Sequence, residues 1–101
     1  MPFLALGNGL ATVKTFHDCT AFTVSRQCSS KVLIGLTGVV RRGDKTLSHG
    51  IGAPGCPLHA PALSTASAKV FVEGKGVGRL NDLYGGSEQI TNAGQSKVNA
   101  S

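Results

Sequence analysis

An all-β fold is predicted by three observations. Helical periodicity is nearly absent, and the apolar residues fall in short Val- and Ile-rich runs closed by Gly, Asn or Asp. The chain of 101 residues carries 14 Gly but only five aromatic side chains and no Trp, so its core is thin and often interrupted by turns. Most tellingly, one hairpin is written twice. Residues 30–45 read SKVLIGLTGVVRRGDK and residues 68–83 read AKVFVEGKGVGRLNDL, offset by 38 positions. Lys31, Val32, Gly38, Val39, Arg41 and Asp44 match Lys69, Val70, Gly76, Val77, Arg79 and Asp82. The length allows one domain, residues 1–101, near the limit at which a hydrophobic core alone is sufficient.

Taken in order, the chain opens with an arm, Asn8–Lys14, that resembles the second half of this hairpin and aligns with Glu73–Arg79. It ends in Ser96-Lys97-Val98, the start of the same unit. Paired together, the two ends would complete a third hairpin, giving a body with approximate threefold internal symmetry and few free strand edges. Three segments leave the hairpin arms on one side. The first begins His17-Asp18-Cys19, the third is Leu83–Ser87, and the middle one is about ten residues longer than the others. The excess is His49–His59, HGIGAPGCPLH, with two imidazoles and a thiol among Gly and Pro. Insertions in repeat proteins usually mark the functional face, and imidazole and thiolate are the usual ligands of zinc. Arg41 and Arg79, each followed three positions on by Asp, read as structural ion pairs. Val32, Leu33, Val70, Phe71 and Val98 are expected in the core and part of the base.

The net charge of +5 is dispersed; only Arg41 and Arg42 are adjacent basic residues, so no nucleic-acid footprint is indicated. Three Cys cannot all pair internally. No secretory signal or membrane-length apolar run is visible. The expected setting is therefore a reducing cytoplasm, with each Cys a ligand or a core residue rather than half a disulfide.

These units resemble the PAAR-repeat family. Cys28–Ile34 with Gly38–Asp44 is similar to one family unit, Ala66–Gly74 with Gly76–Asp82 to a second, and Gly94–Val98 to a truncated third. The Pro-Ala-Ala-Arg signature itself is replaced by Thr37-Gly38-Val39-Val40-Arg41 and Lys75-Gly76-Val77-Gly78-Arg79. The resemblance implies a small cone that caps the trimeric β-helical central spike of a contractile injection machine, one copy per trimer. The machine would be a phage tail or a type VI secretion system. The protein would be made in the bacterial cytoplasm and end at the tip of the virion's tail spike or of a secreted spike. It would touch the target envelope transiently and act as neither an enzyme nor a nucleic-acid binder. The short chain without a toxin extension, and the altered signature, favour a phage. The resemblance further implies one structural zinc ion at the apex, bound by three His and one Cys. Carried onto this sequence, the ligands are His17, His49, Cys56 and His59, with Cys19 as the alternative to His17. The segment Leu83–Ser87 offers no ligand-type residue, and Cys28, aligned with Ala66 and Gly94, is expected as a small buried residue. The rival readings are a catalytic zinc site, which would need an open position and a base such as Asp18 or Glu88, and a zinc-dependent nucleic-acid binder.

Overall fold

The computed structural model describes residues 2–17, 19–50, 55 and 57–101. The described residues are all-β and contain no helix, as the missing 3.6-residue period predicts. Ten short strands occur: β1 (Thr12–Lys14), β2 (Phe22–Val24), β3 (Leu33–Ile34), β4 (Thr37–Gly38), β5 (His49–Gly50), β6 (Leu58–His59), β7 (Phe71–Val72), β8 (Lys75–Gly76), β9 (Leu83–Tyr84) and β10 (Glu88–Asn92). All pairings among the described residues are antiparallel: local hairpins, the long-range pair β1–β10, and isolated bridges. The body is elongated, 40 × 24 × 22 Å.

The doubled hairpin is present as β3–β4 and β7–β8, in matching registers: Leu33 faces Gly38, and Phe71 faces Gly76. Its local chemistry repeats as well. Ser29 Oγ accepts hydrogen bonds from the Lys31 and Val32 amides at 3.1 and 3.0 Å, and Ser67 Oγ accepts from the Lys69 and Val70 amides at 3.1 and 2.9 Å. At the chain's end Gln95 Oε1 takes the same role for Lys97 and Val98, at 2.7 and 2.9 Å. Arg41 chelates Asp44 through its amide, Nε and a terminal nitrogen, and Arg79 does the same to Asp82. Gly38 and Gly76 are required by close approach: a Cβ would lie 1.7 Å from the Ser29 carbonyl oxygen in one copy and 2.3 Å from that of Ser67 in the other.

The chain ends do pair, but through different residues from those expected. The Leu4 amide donates to Val98 O at 2.9 Å, as the Val39 amide does to Val32 O and the Val77 amide to Val70 O, both at 3.1 Å. The missing arm is therefore Phe3–Leu6, and Thr12–Lys14 instead form β1. The apolar run FLAL was the better match because the arm must be buried, and Leu4, Ala5 and Leu6 are buried. These three arms close on one another. Ala5 N donates to Gly78 O (2.9 Å), Gly78 N to Val40 O (2.7 Å) and Val40 N to Ala5 O (2.9 Å), a ring of three backbone hydrogen bonds. Bridges Leu6–Val39, Arg41–Val77 and Leu4–Arg79 flank it.

Beyond this ring the chain builds a second closed circuit. The four-stranded sheet runs β2-β1-β10-β9. From β9 the bridge Leu63–Tyr84 leads to the stretch that follows β6, the pairs Lys45–Ala62 and His49–His59 lead to β5 and the residues before it, and Ser25–Thr46 returns to the end of β2. Its interior is filled by Val13, Leu63, Tyr84 and Ile90, stacked on Ala5, Ala11, Val40 and Ala66. A second cluster of Leu4, Leu6, Val39, Val72, Val77 and Ala100 lies by the hairpins. The core is thus drawn from the ring and the circuit. Val32, Leu33, Val70, Phe71 and Val98 are not in it: each is 39–58% exposed. Strand alternation explains the error, since the inward position in the second hairpin is Val72, one residue beyond Phe71.

Candidate metal centre

Three hairpins of the circuit, β1–β2, β5–β6 and β9–β10, bring one cluster of side chains together. His49 opens β5 and His59 closes β6, and they are direct cross-strand partners. Opposed residues of an antiparallel pair project from the same face, and the two Nε2 atoms are 2.9 Å apart. His17 lies three residues past β1. Its amide donates to Thr15 Oγ1 at 3.1 Å, and Thr15 Oγ1 in turn donates to Thr20 O, fixing the bend that turns His17 inward. Phe16, with a left-handed φ of 62°, makes that bend possible at some conformational cost. Glu88, the first residue of β10, is the centre of the group.

The distances are short throughout. His17 Nε2 and His59 Nε2 each stand 2.7 Å from Glu88 Oε2, and His49 Nε2 stands 2.8 Å from Glu88 Oε1. One ligand atom from each of His17, His49, His59 and Glu88 falls within 4.8 Å of all the others, so this group could hold a metal ion. The Glu88 side chain is 1% exposed and that of His49 3%, whereas His17 and His59 retain 22% and 33%. A carboxylate so deeply buried is stabilised by positive charge beside it. His49 Nδ1 lies 2.8 Å from the Leu47 carbonyl, which can only accept, so the ring donates there and turns Nε2 toward the cluster. A carbonyl behind the ring in this way orients a metal-binding His. Three imidazole nitrogens and a carboxylate oxygen suit zinc and the neighbouring divalent transition metals.

Of the residues expected at the apex, His17, His49 and His59 are brought together. Cys56, and Asp18 beside His17, lie outside the described residues. Cys19 is not in the cluster; it is disulfide-bonded, contrary to the expectation of ligand or core thiols only. Cys28 is free and half-buried, its Cβ and Sγ packed close to Gly7. The sequence reading does not place Glu88 in the cluster: the third segment, Leu83–Ser87, stops one residue short of it, and Glu88 enters there only as a possible base. Its signal is its position, directly after the turn at 85–87 and in phase with buried Ile90.

No protein-family model matches the chain, and no curated protein matches it.

Proposed function

We propose that the protein is the structural tip of a contractile injection machine, capping a trimeric β-helical central spike with its apex held by one zinc ion. The observation that carries this reading is the ring of hydrogen bonds among Ala5, Val40 and Gly78, with a matching Lys-Val turn on each arm. A ring of three such arms supports reading the body as approximately threefold within a single chain, which is what a lone cap on a threefold axis requires. The ring separates two ends. Its strands enter from the hairpin side, where Val32, Leu33, Leu36, Val70, Phe71 and Val98 are exposed beside Lys31, Lys69 and Lys97. They leave toward the circuit that carries the histidines. The first end suits a docking base, and exposed apolar residues rimmed by charge are typical of interfaces. The second suits a point, where converging turns have too little interior for burial to hold them and metal–ligand bonds supply folding free energy.

No catalytic role is assigned. In this reading Glu88 is engaged by three imidazoles rather than poised as a base, and the candidate ion ties strands together. Whether the machine is a phage tail or a secretion system follows from the neighbouring genes. The direct test is mixing with the trimeric spike encoded nearby: native mass spectrometry should show one copy per trimer. Self-trimerisation, or no association at micromolar concentration, would overturn the reading.

A further inference from the structure

We propose that Glu88 supplies the fourth ligand of the apex ion, so that its shell is three imidazole nitrogens and one carboxylate oxygen, with no sulfur. This rests on reading the cluster as a metal site and specifies what that site accepts.

The geometry of Glu88 suits a ligand. Its side chain is 1% exposed, and its Oε1, 2.8 Å from His49 Nε2, has no hydrogen-bond partner among the described residues. His49 Nδ1 is taken up by the Leu47 carbonyl at 2.8 Å, so the other ring nitrogen, Nε2, is the one that faces Glu88 and His59. A cation among these atoms would be within reach of a ligand atom from every one of the four residues. On the other side, His17 and His59 both direct Nε2 to Oε2 at 2.7 Å, which places all three imidazoles around one carboxylate. The ring centroids are only 4.5–5.8 Å apart, so the three imidazoles crowd a single buried carboxylate.

The fold makes the fourth position available because each hairpin of the circuit then contributes to the shell: β1–β2 gives His17, β5–β6 gives His49 and His59, and β9–β10 gives Glu88. With Glu88 included, one ion cross-links all three tips. With a ligand from the middle segment in its place, β9–β10 would be left untied. A carboxylate is a harder ligand than a thiolate, so the site should favour zinc, cobalt(II), nickel(II) or iron(II) and lack any particular preference for cadmium or copper(I).

Zinc X-ray absorption on the intact protein tests the shell without any substitution. The expected result is a first shell of nitrogen and oxygen at about 2.0–2.1 Å; a sulfur scatterer near about 2.3 Å would overturn the proposal. The cobalt(II)-loaded protein should likewise lack the intense near-ultraviolet sulfur-to-cobalt band. Glu88→Gln should weaken zinc binding by more than about a hundredfold, beyond what loss of an outer partner costs; unchanged affinity would also overturn it. Intact protein that binds no metal at all would instead bring down the metal reading itself, so the two failures are distinguishable.

Discussion

Individual side chains here are asked to do opposite things with the same burial. Glu88 is buried among groups that can carry positive charge, whereas the Tyr84 hydroxyl is buried with no hydrogen-bond partner among the described residues. Burial, and then the nearby Asp44 charge, push the Tyr84 phenol above its ordinary value. The folded state therefore holds the neutral phenol, and its stability should fall as pH rises through about 10, where the unfolded chain ionises. Tyr84→Phe should remove that alkaline loss and add about 1 kcal/mol at neutral pH, since an unpaired hydroxyl is lost; urea titrations at pH 7 and 10.5 would check both. Glu73 behaves the other way. A hydrogen bond from Ser29, then the charge of Arg41, hold its carboxyl below the usual range. Its contribution is complete above the ordinary carboxylate value and is lost as pH falls through the depressed one. Glu73→Gln should be the less stable protein at pH 7 and indistinguishable from the parent in strong acid, as thermal melts across that range would record.

At the scale of elements, the hairpins are set by glycine and by side-chain caps more than by strand length. Glu73 and Gly74 both have left-handed φ, 54° and 79°, which gives β7–β8 the twist-matched two-residue turn that short hairpins favour. The Gly38 and Gly76 positions face backbone carbonyls, which cannot move aside as a side chain would. Gly76→Ala should therefore cost about 3 kcal/mol, seen as a Tm lower by on the order of 10 °C or more, and Gly38→Ala at least as much. The doubled hairpin was legible because its turn chemistry and arginine–aspartate closure are local. The N-terminal arm was not. Asn8–Lys14 offered one matching Gly, while Phe3–Leu6 offered only hydrophobicity, and nothing local says which apolar run a ring will bury.

For the whole molecule, the proposed role ties stability to one set of hairpins and assembly to another. If one ion ties three hairpin tips, it binds the folded state alone, and stability should follow metal concentration. Chelation should lower the Tm of purified protein and restoring zinc should recover it; a melt indifferent to chelator would argue against a structural ion. At the other end Lys31, Lys69 and Lys97 sit on equivalent exposed turns. Under the proposed function, replacing all three by Glu should slow association with the trimeric spike and change its salt dependence while leaving the fold intact, as charged rims act mainly on encounter. Stopped-flow binding at two ionic strengths would measure this.

Read alone, the sequence determined the class of fold, the repeated hairpin, the arginine–aspartate pairs and the three histidines. Each of these is carried by periodicity, by a short-range contact or by a residue type rare in this chain. Tertiary structure alone decided which apolar run closes the ring, that the Val32, Phe71 and Val98 positions face outward, that Cys19 is cross-linked, and that Glu88 joins the histidines. These depend on which segments meet in space, and in a fold of two-residue strands a shift of one position changes the face on which a side chain lies. The histidine-rich stretch announced a metal; the carboxylate at its centre comes from the other end of the chain, brought there by the closure of the circuit.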